Sequence, residues 1–155
     1  MAARVIHFGW DDCYRVPVLR AAGFEVEEAK SLGELGVDLQ RKQAVDAVIV
    51  SEELEPTAEL VAERVRKAVP VPVILFRRSQ REIDERKFEK VYTCTTPPDV
   101  WLSEMAALIA KGYKLQAEAA HLREEAAEVQ AETRRQRMRA HGLREKLPPI
   151  PKWRI

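Results

Sequence analysis

Three short apolar runs constrain the fold of this chain more than any other feature of its sequence. They cover residues 4–8, 45–50 and 71–76, are rich in β-branched residues, and show almost no alternation of apolar with polar positions. Runs of this kind are typical of strands that are buried on both faces of a parallel sheet. Open parallel sheets bind their ligands at the carboxyl ends of the strands. A functional site is therefore expected where these three runs end.

The segments between these runs have the spacing and the terminal residues of helices and of two further strands. Short helices are predicted at 15–22, 31–40 and 56–68, and further strands at 24–28 and 91–94. Residues 77–90 are almost wholly polar, which predicts a loop or a loosely held helix. Strands that alternate with helices imply right-handed crossovers. The sequence therefore predicts an α/β fold, a flavodoxin-like doubly wound sheet of five parallel strands with a long C-terminal helix.

Composition narrows the class of protein without pointing to a ligand. A chain of 155 residues with 46% hydrophobic residues suits one domain plus an extension. The net charge of +1, taken over the whole chain, favours neither an acidic nor a basic partner. Two cysteines are too few for a disulfide framework and indicate reduced thiols. No apolar stretch reaches membrane-spanning length, and the first strand begins too early to leave room for a signal peptide. We expect a soluble cytoplasmic protein without a membrane partner.

Three motifs lie near the carboxyl ends of the predicted strands. They are Asp46-Ala-Val-Ile-Val-Ser51 followed by Leu54 and Pro56, Pro72-Val-Ile-Leu-Phe76, and Thr96-Pro97. With these motifs, roughly residues 3–112 resemble the CheY-like receiver (response regulator) domain of two-component signalling. The resemblance implies a phosphorelay protein in which the third strand ends in a phosphorylated Asp. It also implies a small hydroxyl residue after the fourth strand and a Lys before a proline after the fifth.

The chain departs from the receiver pattern at each of these three positions. Ser51 stands at the position of the phosphorylated Asp, Arg77 at that of the small hydroxyl residue, and Thr96 at that of the Lys. Asp-phosphate chemistry needs a carboxylate nucleophile, a divalent cation and a cation on the phosphoryl oxygens. A serine hydroxyl needs a base, but His7 lies in mid-strand and is predicted to be a core residue. We therefore expect a degenerate site with no catalytic residues, cofactor or metal.

The two acids that hold Mg²⁺ in a receiver have two possible positions in this chain. Counted from the first strand they fall at Gly9 and Trp10, which offer no ligand for Mg²⁺. By residue type they are Asp11 and Asp12, but this choice leaves a first helix that is too short. We favour the first count, in which the two aspartates are N-terminal acids stabilised by the helix dipole. The second count leaves open an alternative, a phosphoacceptor response regulator of atypical geometry with Mg²⁺ on Asp11 and Asp12.

The charges near the strand ends support one further hypothesis. Arg77 or Arg78 would lie across the pocket and replace the charge of the metal. Its partner would be Asp11, Asp12 or Glu52. The alternative is that both arginines are solvated loop residues. The degenerate phosphoacceptor pocket predicted from the sequence consists of Asp11, Asp12, Ser51, Glu52, Arg77 and Thr96.

A long helix is predicted over about residues 96–141, because no proline occurs between Pro98 and Pro148. It would reach on the order of 65 Å, so much of it should project from a domain with a radius of gyration of about 13 Å. Large apolar residues recur at every seventh position with small residues between them, which predicts a coiled coil. The predicted coiled-coil interface consists of Leu108, Leu115, Ala119, Leu122, Ala126 and Val129. We expect a homodimer or a protein partner bound through this helix; the alternative is a single helix that folds back on its own domain or frays.

The end of the chain adds little to this interpretation. The basic run 134–139 lies between Glu132 and Glu145, which favours a solvated helix face over a nucleic-acid reader. The proline-rich residues 147–155 are predicted to be disordered. The expected domains are a receiver-like domain over 1–100 with the final helix beginning near 97, an extended helix over 101–146, and the tail over 147–155.

The sequence favours a non-catalytic pseudo-receiver, a signalling or scaffolding interaction module that dimerises or binds a partner through its C-terminal helix. The first alternative is the phosphoacceptor response regulator described above. A second alternative is a flavodoxin-like nucleotide or flavin binder. It is disfavoured because no loop is rich enough in Gly, Ser or Thr to cradle a phosphate.

Overall fold

The computed structural model describes residues 2–148, which include a five-stranded parallel sheet with helices on both faces. The strands are β1 (Arg4–Phe8), β2 (Glu25–Ala29), β3 (Ala47–Ser51), β4 (Val73–Arg77) and β5 (Lys90–Thr93). Their order in the sheet is β2-β1-β3-β4-β5, and each neighbouring pair is parallel. The flavodoxin-like fold predicted from the sequence is confirmed.

The helices begin close to the positions that the sequence predicts. Within residues 2–148 they are α1 (Arg15–Ala21), α2 (Leu32–Gln40), α3 (Ala58–Ala68) and α4 (Pro98–Glu145), with a 3₁₀ turn at Glu85–Lys87. Ser31 caps α2 by accepting a hydrogen bond from the backbone N–H of Glu34 at 3.2 Å. Thr57 caps α3 in the same way. Such caps satisfy N–H groups that the first turn leaves unpaired, which is why they mark helix starts in a sequence.

Apolar side chains cover both faces of the sheet, because successive residues of a strand point to opposite faces. On the side of α2 and α3, the strands contribute Ile6, Phe8, Val48, Val50, Val73 and Leu75 to one hydrophobic cluster. On the side of α1 and the start of α4, they contribute Val5, Ala47, Ile49, Ile74, Phe76 and Tyr92 to a second cluster. Every residue of β1 and β3 is buried. Burial on both faces explains why these runs lack alternation.

The first three turns of α4 pack on the sheet. Trp101, Met105 and Ile109 recur at every fourth position and are buried in the second cluster. Trp101 meets Phe76 edge-on, with the ring centroids 5.4 Å apart. Leu108 is partly buried against the same cluster. Its assignment to the coiled-coil interface is therefore corrected, because a helix that docks on a sheet also covers the residues that flank its buried stripe.

Within residues 2–148 the chain forms two compact units, with the division between Tyr113 and Lys114. The first unit extends past residue 100 because the early turns of α4 belong to its core. Most of the proline-rich tail predicted at 147–155 lies outside the described residues, which end at 148. Within the described part of the chain, no helix is both long enough and apolar enough to cross a membrane.

Replacing Met105 with Ala should destabilise the domain by about 2–5 kcal/mol, because the fully buried side chain would leave a cavity under α4. Met138 lies on the same helix but is exposed. Met138→Ala should therefore change the free energy of unfolding by no more than about 0.5 kcal/mol. Urea denaturation followed by tryptophan fluorescence measures both variants. Equal effects of the two substitutions would contradict the packing of α4 on the sheet.

Candidate functional site

The carboxyl ends of the strands border an open cleft of about 740 Å³. Its lining comes from the loops after β1, β4 and β5 and includes Asp12, Arg78, Ser79, Thr93, Cys94 and Thr95. Because the strands are parallel, the residues that follow them meet at a single edge of the sheet. The cleft lies at the edge where the sequence predicts a site.

A buried arginine, Arg15, lies beside this cleft and contacts the last residue of β3. It is the first residue of α1 and is only 2% exposed. Its Nη2 donates a hydrogen bond to Oγ of Ser51 at 2.9 Å, and its Nε donates to Nε2 of His7 at 3.5 Å. The guanidinium also lies over the ring of Phe76, 4.6 Å from the centroid. A permanent positive charge therefore fills the space beside Ser51.

Two aspartates from the loop after β1 surround this charge. Oδ1 of Asp11 lies 3.9 Å from Nε of Arg15, and Oδ1 of Asp12 lies 3.5 Å from its Nη2. Asp11 also accepts hydrogen bonds from the backbone N–H groups of Arg15 and Val16, at 2.7 and 2.8 Å. These N–H groups belong to the first turn of α1 and would otherwise be unpaired. Asp11 therefore acts as an N-terminal acid of the helix, the role that the favoured interpretation of the sequence gives it.

The last residue of β4, Arg77, and the arginine that follows it, Arg78, differ in their partners. Nε of Arg78 lies 3.0 Å from Oδ2 of Asp12, so the side chain of Arg78 reaches one of the pocket acids. Arg77 borders the cleft, but its guanidinium pairs with Glu85 at 3.0 Å and donates to the carbonyl of Arg81. The hypothesis that Arg77 pairs with a pocket acid is therefore corrected. The physical reason is that the loop after β4 folds back over Arg77 and supplies both partners.

Glu52 anchors the loop that follows β4. It is buried and accepts hydrogen bonds from the backbone N–H groups of Arg78 and Ser79, at 2.6 and 3.0 Å, and from Oγ of Ser79 at 2.6 Å. Burial alone would raise the pKa of this carboxyl group, but the hydrogen bonds and the nearby charge of Arg77 hold the pKa of Glu52 below its ordinary value. Glu52 is therefore a carboxylate that organises the loop through backbone groups and a serine.

Thr96 belongs to a turn and not to the lining of the cleft. Its Oγ1 accepts a hydrogen bond from the backbone N–H of Thr93 at 3.2 Å, which closes the turn between β5 and α4. The cleft is lined at this strand by Thr93, Cys94 and Thr95. The prediction that Thr96 lies in the pocket is corrected, because the turn uses its hydroxyl group.

His7 is fully buried in β1, as expected for a core residue. Burial, together with the guanidinium of Arg15, lowers the pKa of His7 to about 4. The imidazole is therefore neutral at physiological pH. Because Nε2 accepts the hydrogen bond from Arg15, we assign the proton of the neutral ring to Nδ1.

Arg15 is missing from the residues that the sequence predicts for the pocket, although one signal points to it. The N-terminus of a helix carries a partial positive charge, which makes a cation in the first turn unfavourable. An arginine at the first position of α1 therefore needs partners elsewhere in the fold. Asp11 and Asp12 are neighbours in sequence, but Ser51 and Phe76 reach Arg15 only through the tertiary structure.

Comparisons with known proteins find likeness in structure but not in sequence. No family model matches this chain, and no curated protein matches it. An adenylate cyclase from Rhodopirellula baltica has a TM-score of 0.64 at 15% identity, over 79% of this chain and 97% of that one. A CheY-like response regulator receiver domain from Methanospirillum hungatei has a TM-score of 0.61 at 15% identity, over 74% and 98%. A fusion carrying a trimeric coiled coil from yeast has a TM-score of 0.62 at 12% identity, over 86% and 95%.

These comparisons establish the fold. Receiver domains recur among the similar structures, including one from Sinorhizobium medicae with a TM-score of 0.59. The chain therefore has the fold of a CheY-like receiver domain, as its resemblance to that family implies. Identities of 15% or less do not carry an activity from one protein to another, and this holds for the adenylate cyclase as well.

The stability of the domain should fall as the pH falls from about 6.5 toward about 4, because the folded state resists protonation of His7. The unfolded chain takes up this proton near the ordinary pKa of 6.5, whereas the folded chain does so only near 4. The contribution of His7 is therefore complete above this window and is lost as the pH falls through it. Urea denaturation across the window measures it.

His7→Gln should remove this part of the pH dependence. The matched control is His121→Gln, which changes an exposed histidine of α4 and should leave the pH dependence unchanged. A wild-type pH dependence in His7→Gln would mean that His7 is not a buried neutral imidazole.

Proposed function

We propose that this chain is a non-catalytic pseudo-receiver that acts in the cytoplasm as a signalling or scaffolding module. The observation that carries the proposal is the guanidinium of Arg15, which is buried beside Ser51 and donates to its Oγ at 2.9 Å. Ser51 ends β3, where the receiver family has its phosphorylated Asp. A permanent cation at this position leaves the domain in a single state, whatever phosphodonors are present.

The chemistry of Ser51 supports this proposal. A serine becomes a nucleophile when an adjacent base takes its proton. His7 has a single lone pair available when neutral, and that lone pair faces Nε of Arg15. The oxygen of Ser51 accepts a hydrogen bond from Arg15, which withdraws electron density from it. Both interactions work against attack on a phosphoryl group.

The acids beside Arg15 do not fit a bound Mg²⁺. This ion requires near-ideal octahedral coordination by oxygen. Both oxygens of Asp11 accept backbone N–H groups of α1, and both oxygens of Asp12 lie next to arginines. Two carboxylates only neutralise the charge of Mg²⁺, so the guanidinium of Arg15 would be left without a counter-charge. In the alternative, a phosphoacceptor response regulator that uses Asp11 and Asp12, Mg²⁺ could bind only after these contacts of the two aspartates were broken.

The C-terminal part of α4 is the surface through which the module works. Leu115, Leu122 and Val129 recur at every seventh position and are 55%, 63% and 66% exposed. Ala119 and Ala126 lie between them and are small enough to let a second helix approach closely. Association would remove this apolar stripe from water, at about 25 cal/mol for each Å² buried.

A second copy of the chain is the partner that the charges favour. In a parallel pair, Glu118 of one helix would meet Arg123 of the other, and Glu132 would meet Arg137. Toward the end of the helix Arg139 would meet Arg144, which is a repulsive pair. One of the solved structures described above also carries a coiled coil, which in that fusion protein is trimeric. Small residues at the interface bury little area, so the association should be modest and depend on concentration. A different protein with a matching apolar helix is the second candidate.

Incubation with acetyl phosphate and Mg²⁺ should add no phosphoryl group to the chain. Intact-mass spectrometry checks this, with a receiver that has a complete site treated in parallel as the positive control. Titration with Mg²⁺ followed by the fluorescence of the exposed Trp10 should show no saturation in the millimolar range. A phosphorylated wild-type chain, or Mg²⁺ saturation that is lost in Asp12→Asn, would restore the response-regulator alternative.

Sedimentation velocity over a wide range of concentrations should show reversible self-association that Leu115→Asp and Leu122→Asp weaken. Each substitution places a carboxylate where apolar contacts are expected, and burying an unpaired charge is costly. Leu54→Asp changes an exposed leucine in the loop after β3 and is the matched control. A monomer at all concentrations, or equal behaviour of all three variants, would rule out the homodimer while leaving the account of the pocket intact.

A further inference from the structure

Two free cysteines that are far apart in sequence meet at the mouth of the cleft. Cys13 lies in the loop between β1 and α1, and Cys94 directly follows β5. Their sulfur atoms and a carboxylate oxygen of Asp12 all lie within 4.8 Å of one another. Cys13 is half-buried, whereas Cys94 and Asp12 line the open cleft. The three side chains are therefore close together and accessible from solvent.

Two thiolates and one carboxylate form a ligand set for a thiophilic divalent cation. Zn²⁺ binds cysteine sulfur at about 2.3 Å and carboxylate oxygen at about 2.0–2.2 Å. Ligand atoms around a tetrahedral ion of this size are separated by roughly 3.5–4 Å. The three atoms lie within 4.8 Å of one another, so small side-chain movements bring them to this spacing. A water molecule or a ligand from the cleft would take the fourth position.

The surrounding charges suit such an ion better than they suit Mg²⁺. Mg²⁺ prefers oxygen ligands, and of these three side chains only Asp12 offers oxygen. With both thiols deprotonated, the two thiolates and the carboxylate carry three negative charges, one more than the two positive charges of Zn²⁺. The guanidinium of Arg15 offsets that charge, because its Nη1 donates to Sγ of Cys94 at 3.7 Å and its Nη2 to Asp12 at 3.5 Å. N–H groups in this position orient the ligands of a metal site.

We propose that Asp12, Cys13 and Cys94 bind one thiophilic divalent cation, of which Zn²⁺ is the representative. Both thiols release their protons to solvent as the two metal–sulfur bonds form. The ion ties the loop before α1 to the end of β5, on either side of Arg15. This site is independent of the coiled-coil interface and of the absence of phosphorylation.

Co²⁺ is the probe for the site, because tetrahedral thiolate coordination gives it strong visible and near-ultraviolet absorption. The full chain, stripped of metal and kept reduced with a phosphine, should take up one Co²⁺ per chain. Zn²⁺ should displace the Co²⁺ and abolish the absorption, whereas millimolar Mg²⁺ should not. No absorption with Co²⁺, combined with no uptake of Zn²⁺ from a chromophoric chelator, would overturn the proposal.

Single substitutions identify the ligands. Cys13→Ser and Cys94→Ser should each abolish the Co²⁺ absorption, and Asp12→Asn should weaken binding by at least about tenfold. The matched control is Glu53→Gln. Glu53 lies 3.5 Å from Arg78, which also pairs with Asp12, but Glu53 is not one of the three proposed ligands. Absorption that persists in either cysteine variant, or equal weakening in Asp12→Asn and Glu53→Gln, would contradict the assignment.

Alkylation of the wild-type chain gives a second measurement that needs no variant. Bound Zn²⁺ should slow the reaction of both cysteines with iodoacetamide, as peptide mass mapping reports for each site. Equal rates with and without Zn²⁺ would also overturn the proposal. A stoichiometry of one ion per two chains would show instead that the thiols of different copies share the metal.

Discussion

The buried guanidinium of Arg15 is the interaction on which the organisation of the site depends. A charge removed from water is tolerated only when partners replace its solvation. Arg15 has such partners in Asp11, Asp12, Ser51 and the face of Phe76. Each partner comes from a different strand end or from the loop before α1, so the charge fixes the relative positions of these segments. Burial of His7 and, after it, the neighbouring charge of Arg15 lower the pKa of the imidazole, so the histidine beside Arg15 stays neutral.

The proposed role follows from combining this fixed pocket with a helix that has two different stretches. The scaffold keeps the open carboxyl edge at which parallel sheets bind ligands, but a cation that belongs to the chain itself fills the place beside Ser51. In α4, the turns up to Ile109 bury their apolar residues in the domain, and later turns leave Leu115 and Leu122 exposed. A module of this kind would act by binding a second copy or another protein through α4, and not by a phosphorylation cycle. Its regulation would then come from concentration, from the partner, or from an ion at the cysteine pair.

Local signals in the sequence were sufficient for the fold. The runs that form β1 and β3 are apolar without alternation, and Ser31 caps α2 as its position before Glu34 predicts. The residues of the pocket were harder to predict from the sequence, because side chains from distant segments of the chain meet there. The sequence placed Thr96 in the pocket and offered a pocket acid as a partner for Arg77, which does border the cleft. In the structure, the loop after β4 binds Arg77 and a turn binds Thr96. Successive residues of a strand point to opposite faces of the sheet. Because Phe76 faces Arg15, Arg77 points to the opposite face, away from the acids that surround Arg15.

A crystal structure of the chain grown with millimolar Mg²⁺ and beryllofluoride, a mimic of a phosphoryl group, would show whether Arg15 keeps its place beside Ser51. We expect the guanidinium of Arg15 to remain within hydrogen-bond distance of Oγ of Ser51, and Asp11 still to cap α1. Neither Mg²⁺ nor beryllofluoride should occupy the space between these residues. A structure in which Arg15 has swung out and a Mg²⁺ ion lies between Asp11 and Asp12, with beryllofluoride beside Ser51, would contradict this expectation.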